Sequence, residues 1–290
     1  MSTTVGAAHP PRSERPAEPV LLARLIDDAA VFPPGLAPLA DAVSAYLART
    51  RYAGLVGPLL VPAAAAAEAV ALAEGQRLDL SLIARPGAPL EPVREGVADL
   101  RGAPGVRVTG VEIGWSAKWR VLCDLGVPVT VEIPRTDGAA AVADVAEAAA
   151  GADDSAVPHV QAKFRTGATD TWAWPDEREL AGFIRACIDR DLGFKLTGGL
   201  HHAVRSDRGG EPQHGVLNVL AAVRHGLNGA EEAEMGSLLA ERDPQHLVDI
   251  VTRMSTADAS IVRAFFTAYG CCNVLEPIGE LAAFGLLGED

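Results

Sequence analysis

A strand, a helix and a second strand follow one another in the segments HVQAKF (159–164), ERELAGFIRACID (177–189) and LGFKL (192–196). Both short segments are apolar over most of their length, as expected for strands that are buried on both faces. The longer segment repeats its apolar residues every three or four positions, which is helical spacing. This order predicts two parallel strands joined by a helix.

The same alternation extends along the chain in both directions. Helical spacing recurs in residues 39–49, 63–74, 90–100, 117–124 and 139–150. Eight strands alternating with helices predict a closed (β/α)8 TIM barrel. The predicted strands are residues 22–26, 54–61, 78–83, 106–113, 127–133, 159–164, 192–196 and 215–220.

Helical spacing also dominates the C-terminal region. Residues 231–240, 245–254 and 257–269 show it, so we expect C-terminal helices from about residue 228. Residues 1–18 contain three prolines and no apolar core, which predicts a disordered leader rather than a signal peptide. Residues 19–290 then form a single barrel domain.

Composition narrows the classes of partner. The formal net charge is −13 and no cluster of basic residues occurs, so we expect no nucleic-acid partner. No apolar run reaches the ~18 residues of a membrane span without polar or proline interruption, so we expect no membrane partner and a cytoplasmic location. The four cysteines match no zinc or redox spacing, which favours reduced structural thiols.

Five charged residues interrupt the predicted strands close to their C-terminal ends. In barrels of this class the active site lies at that end, because the loops that follow the strands converge there. Each of the five belongs to a different strand, and chance does not readily produce that arrangement. The residues are Asp27, Glu112, Glu132, Lys163 and Lys195.

The two lysines carry the most specific chemistry of this set. A lysine inside a barrel is desolvated, and a second ammonium nearby repels it, so both effects lower its pKa. A neutral amine is what a Schiff-base nucleophile needs. The structural alternative is that each lysine reaches solvent or pairs with a carboxylate.

Two segments resemble the lysine motifs of deoxyribose-phosphate aldolase, a class I aldolase with a TIM-barrel fold. They are KFRTG (163–167) and FKLTGG (194–199). Weaker similarity to that family, in the same order, is present in ARLID (23–27), GVEI (110–113) and residues 127–132. Together these segments span roughly residues 21–200.

The resemblance implies a role for each charged residue. Lys163 would form the imine, and Lys195 would depress the pKa of Lys163. Glu112, assisted by Asp27, would move protons during carbinolamine formation and carbon–carbon cleavage. Glu132 would hold the neighbouring lysines in place.

The chain also departs from the family pattern. Asp28 stands where the family has histidine, and Glu112 stands where it has aspartate. The Gly-Ser-rich phosphate loop expected after strand eight is absent, so we do not expect a phosphorylated deoxysugar as substrate. Arg165 replaces a small residue and is predicted to bind a substrate carboxylate, with Thr166 beside it as a further contact.

Two adjacent histidines follow the seventh predicted strand. His201 and His202 are expected at the barrel mouth, where one of them contacts substrate or acts in acid–base chemistry. A metal ligand and a purely structural histidine are the alternatives.

These observations leave three hypotheses. The first is an aldolase-like lyase that uses a Schiff-base lysine on a small carbonyl substrate, without metal or other cofactor. The second is a cofactor-free or metal-assisted barrel enzyme that acts on a small carboxylate by acid–base chemistry. The third is a non-catalytic barrel that binds a metabolite. A homo-oligomer is compatible with each.

Overall fold

The computed structural model describes residues 20–151 and 159–288, and within these ranges eight parallel strands close into a barrel. Neighbouring strands pair in chain order, and the eighth strand pairs with the first. The predicted (β/α)8 fold is therefore confirmed, whereas the leader predicted at residues 1–18 lies outside the described residues. The strands are β1 (Ile26–Asp28), β2 (Val56–Pro62), β3 (Leu78–Ile83), β4 (Val106–Gly114), β5 (Val129–Glu132), β6 (Val160–Arg165), β7 (Phe194–Thr197) and β8 (Phe266–Cys271).

Helices cover the outside of the barrel and fill most of the C-terminal region. None of the helices in the described residues is long and apolar enough to cross a membrane. The helices are α1 (Leu39–Ala48), α2 (Ala66–Leu72), α3 (Glu91–Leu100), α4 (Gly138–Ala150), α5 (Glu177–Ile188), α6 (Val216–Leu227), α7 (Glu232–Ala240), α8 (Pro244–Thr252), α9 (Thr256–Phe265) and α10 (Leu275–Ala283). Between β4 and β5 the chain forms a 3₁₀ helix, Trp119–Leu125, where an α-helix was predicted.

The eighth strand is not where the sequence predicted it. Residues 215–220 begin α6, and β8 lies some fifty residues later. Helix α6 is buried on nearly all sides, so its first residues form an apolar run without helical periodicity. β8 starts directly after α9, and no Gly or Pro separates the two elements. Because nothing in the sequence marks the end of the helix, residues 257–269 were predicted as a single helix.

The first strand is also shifted, toward the C-terminus. Residues 22–26 were predicted as the strand, but β1 spans Ile26–Asp28. Arg24 takes a left-handed backbone conformation with φ of 50°, which interrupts the extended chain. As a result Asp27 is a residue of the strand itself, and not of the loop that follows it.

Aromatic packing fixes β8 against its neighbours. The ring of Phe266 stacks on Phe194 of β7 at 5.6 Å and lies 6.3 Å from the ring of Tyr269. Phe194 in turn meets Phe183 of α5 edge-on at 5.4 Å. These contacts bury Phe266 completely, so the closing strand depends on it.

Truncation of this ring tests the location of the closing strand. We expect Phe266→Ala to lower the free energy of unfolding by about 3–5 kcal/mol, because it leaves a cavity in the packed core. The control is Ile261→Ala on the exposed side of α9, with an expected change within about 0.5 kcal/mol. Urea denaturation measures both, and equal small effects would contradict the assignment of β8.

Candidate active site

The five charged residues that the sequence singled out converge inside the barrel. Lys163 of β6 pairs in register with Glu132 of β5 on one side and with Lys195 of β7 on the other. Residues paired in register on parallel strands point to the same face of the sheet. Asp27 on β1 and Glu112 on β4 are the other two members of the group, and all five side chains are buried.

Glu112 connects the two lysines. Its Oε2 lies 3.1 Å from Nζ of Lys163, and its Oε1 forms an ion pair with Nζ of Lys195. Lys163 also contacts Oε2 of Glu132 at 3.0 Å, and Lys195 also pairs with Asp27. Each ammonium therefore lies between two carboxylates, one of which is shared.

Arg165 extends this network toward the solvent. Its Nε donates to Oε1 of Glu132 at 3.0 Å and its Nη2 to Oε2 at 3.5 Å, while 38% of its side chain stays exposed. The cluster thus contains three cations and three carboxylates. The predicted binding of a substrate carboxylate by Arg165 stays a prediction.

Thr166 connects the turn after β6 to the turn after β7. It is fully buried, and its hydroxyl donates to the carbonyl of Thr197 at 3.2 Å and to that of Gly198. Gly199 adopts a φ of +87°, and a Cβ there would lie 2.4 Å from the ring of Trp174. The turn after β7 therefore requires glycine for both its conformation and its packing.

Burial raises the pKa values of the three carboxyls and the ion pairs lower them, so the net direction depends on which effect is larger. Burial alone would raise the pKa of Glu112, but Lys195 and Lys163 outweigh it and lower the value to about 2. The pKa of Glu132 is lowered in the same way by Lys163 and Arg165. For Asp27, burial prevails over the attraction of Lys195 and raises the pKa to about 6.

Lys195 departs from the expectation that burial lowers the pKa of a lysine. Burial does act in that direction, but the charges and hydrogen bonds of Asp27 and Glu112 outweigh it and raise the pKa of Lys195. Lys195 is consequently held as an ammonium ion at physiological pH.

The two histidines contact α10 rather than the lysine cluster. Nδ1 of His201 lies 2.6 Å from Oε2 of Glu276, and Nδ1 of His202 lies 2.9 Å from Oε1 of Glu280. Both rings follow β7 and are largely buried. Their predicted contact with substrate stays a prediction. In residues 20–151 and 159–288 no group of three or more His, Cys, Asp or Glu side chains is arranged to hold a metal ion.

Three residues that contact the predicted site residues were not predicted from the sequence. The hydroxyl of Ser81 on β3 donates to Oε1 of Glu112 at 3.5 Å inside the barrel. A polar residue two positions before the end of a leucine-rich strand is the signal that marks Ser81. Glu276 and Glu280 could not be found in this way, because their partners lie more than seventy residues away in sequence.

Comparisons of the chain with protein-family models, with curated proteins and with solved structures gave no match.

Removal of the shared carboxylate tests the cluster as a unit. We expect Glu112→Gln to lower the free energy of unfolding by about 3–5 kcal/mol at pH 7, because two buried ammonium ions lose a counter-charge. The pKa of Glu112 is lowered from 4.5 to about 2, so its contribution is fully present above about pH 4.5 and is lost as the pH falls toward 2. The difference between variant and wild type should shrink over that range.

Denaturant titrations from pH 3 to pH 8 measure this difference, with Glu95→Gln on the exposed face of α3 as the matched control. An effect of Glu112→Gln that is as small as the control's, or that grows on acidification, would show that Glu112 does not stabilise the cluster.

Proposed function

We propose that the chain is a lyase of the class I aldolase type, in which Lys163 forms an imine with a small carbonyl substrate. The observation that carries the proposal is the pair of buried lysines at the ends of β6 and β7, surrounded by three carboxylates. The similarity of their motifs to those of deoxyribose-phosphate aldolase supports the same chemistry.

The use of lysine at these two positions is unusual for this chain. It contains three lysines against twenty-two arginines, and two of the three are the buried pair. Arginine pairs with carboxylates at least as well as lysine does, but it cannot lose its proton in a protein. Lysine at these two positions therefore favours a role that needs a neutral amine over a purely structural ion pair.

The ion pairs favour Lys163 over Lys195 as the nucleophile. When Lys163 gives up its proton, Glu112 keeps its contact with Lys195 and Glu132 keeps its contact with Arg165. When Lys195 gives up its proton, Asp27 loses the cation with which it pairs. Lys195 then serves as the fixed cation, and Lys163 as the amine that attacks.

The carboxyls can move the protons that imine chemistry requires. The neutral amine of Lys163 attacks the carbonyl carbon as the carbonyl π bond opens, and a proton passes from the nitrogen to the oxygen to give the carbinolamine. A second proton to that oxygen releases water and leaves a protonated imine. A base then removes the proton of the substrate's β-hydroxyl, the carbon–carbon bond breaks with release of an aldehyde, and its bonding electrons pass into the protonated imine to give an enamine. Protonation of the enamine carbon and hydrolysis release the second carbonyl product and regenerate the amine.

We assign these proton transfers to Asp27 and Glu112, of which Glu112 stays ionised near neutral pH and can only accept a proton, whereas Asp27 can also donate one. Glu112 contacts the amine nitrogen directly, at 3.1 Å. Asp27 has a pKa of about 6, so near neutral pH it can both hold and release a proton. Substitution of one such acid–base group costs on the order of 10²–10⁴ in rate.

A small aldehyde or ketone that carries a carboxylate is the substrate class this site fits best. The amine of Lys163 is buried, and the partly exposed guanidinium of Arg165 contacts the same carboxylate, Glu132, that pairs with this amine. A planar guanidinium binds a carboxylate through two parallel hydrogen bonds.

Borohydride trapping tests the proposal. The protein is treated with a panel of small aldehydes and ketones, with and without carboxylates, and then reduced and weighed by intact-mass spectrometry. We expect a reduced adduct in the wild type and in the exposed-lysine control Lys118→Ala, and none in Lys163→Ala.

Peptide mapping of the wild type gives a readout that does not depend on the folding of the variant, because it separates the three lysines from one another and from the N-terminal amine. An adduct on Lys195 in place of Lys163, or none on Lys163 across the panel, would contradict the proposal. The last result would favour acid–base chemistry on a bound carboxylate.

A further inference from the structure

A second group of reactive side chains lies at the rim of the barrel, outside the lysine cluster. It consists of the thiol of Cys272, the imidazole of His201 and the carboxylate of Glu276. Cys272 directly follows β8, His201 lies in the loop after β7, and Glu276 lies in the first turn of α10. Within β8, Gly270 pairs in register with Asp27, so the sulfur lies beyond the level of the lysine cluster, toward the loops.

The three side chains are connected in a line. Glu276 Oε2 lies 2.6 Å from Nδ1 of His201, and Nε2 on the other side of the same ring lies 3.5 Å from Sγ of Cys272. The arrangement is that of a nucleophile, a proton carrier and an orienting carboxylate. Hydrogen bonding to the sulfurs of Cys271 and Cys272 and to Glu276 raises the pKa of His201 to about 11. A ring that has a carboxylate at Nδ1 and a sulfur at Nε2 can carry a proton on both nitrogens, and an imidazolium stabilises a thiolate beside it.

The neighbouring Cys271 differs from Cys272 in each of these respects. Its Sγ is 3.9 Å from Nδ1, the nitrogen that Glu276 already occupies, and its thiol donates to the carbonyl of Asn273 at 3.3 Å. Burial raises the pKa of the Cys271 thiol, and the side chain is almost completely enclosed. Cys272 is half-buried, so it is the sulfur of this pair that a small molecule reaches.

We propose that Cys272, His201 and Glu276 form a nucleophilic thiol site whose electrophile is a hydroperoxide. Attack by a thiolate on a hydroperoxide needs an anionic sulfur and an acid for the leaving group, and the His201 imidazolium supplies both conditions. Partial burial at the rim restricts access to small electrophiles. The site acts independently of the imine chemistry proposed for Lys163.

The reaction is a two-electron transfer. The Cys272 thiolate attacks the terminal oxygen of the hydroperoxide, so that the S–O bond forms as the O–O bond breaks. The alkoxide, or hydroxide from hydrogen peroxide, leaves and takes the proton from Nε2 of His201. Sulfur is oxidised to sulfenic acid, and the peroxide is reduced to an alcohol or water.

The chain provides an internal reference for the test. Cys123 is half-buried like Cys272, but burial is the main influence on its thiol and raises its pKa. The full-length protein is exposed to limiting hydrogen peroxide in the presence of dimedone, which traps sulfenic acids, and adducts are quantified at each cysteine by peptide mass spectrometry. We expect Cys272 to react at least about tenfold faster than Cys123.

Variants separate the role of the imidazole from simple accessibility. We expect His201→Asn, which keeps a polar side chain but cannot carry a charge, to lower the rate at Cys272 by about tenfold while Cys123 is unchanged. Glu276→Gln should lower it by a smaller factor, because the imidazolium persists with a weaker orienting partner. A Cys272 rate that is unaffected by His201→Asn would overturn the proposal.

The wild type alone gives a second measurement that does not require the variants to fold. Alkylation by iodoacetamide at pH 7 is followed at both cysteines. We expect Cys272 to be alkylated at least about tenfold faster than Cys123. Equal rates at the two thiols would overturn the proposal.

Discussion

The Glu112 carboxylate, shared between two lysines, is the interaction on which the interior of this barrel depends. Buried charges are costly, and a single unpaired ammonium in such a site destabilises a protein by several kcal/mol. Here three cations and three carboxylates lie within one network, and Glu112 contacts both lysines. The network can be buried because each charge has a partner on an adjacent or facing strand.

The same network gives two chemically identical side chains different electrostatic surroundings. Lys195 lies between Asp27 and Glu112, and these carboxylates raise its pKa. Lys163 shares both of its carboxylates with another cation, so the loss of its proton leaves no carboxylate isolated. The register of β6 and β7 places the two lysines side by side. Strand pairing therefore sets up the chemical difference between them.

Much of this site could be predicted from the sequence, because each of its residues interrupts an apolar strand near its end. Parallel strands bring such positions to one end of a barrel, so Asp27, Glu112, Glu132, Lys163 and Lys195 could be grouped before any contact was known. The closing strand could not be located in the same way. Residues 215–220 are a helix without a polar face, and Phe266–Cys271 follows a helix with no intervening breaker. The local sequence pattern is ambiguous in both places, and the packing of the whole barrel determines which segment becomes the eighth strand.

The grouping of Cys272, His201 and Glu276 at the barrel rim also could not be predicted from the sequence. Cys272 and Glu276 are close in sequence, but the imidazole between them comes from a loop some seventy residues earlier. No spacing rule connects these positions, since β7 and β8 become neighbours only after four helices have been inserted between them. The pairing of β7 with β8 brings the loop that carries His201 next to Cys272.

The charge state of Lys195 tests the account most directly. With only three lysines in the chain, the Nζ signals of ¹⁵N-lysine-labelled protein can be assigned by single substitution and followed by NMR as a function of pH. If Glu112 and Asp27 hold Lys195 as proposed, its ammonium signal persists above pH 10.4, the point at which a lysine ordinarily loses half of its protons. Loss of the proton below about pH 9 would show that burial outweighs the carboxylates, and would remove the basis for assigning separate roles to the two lysines.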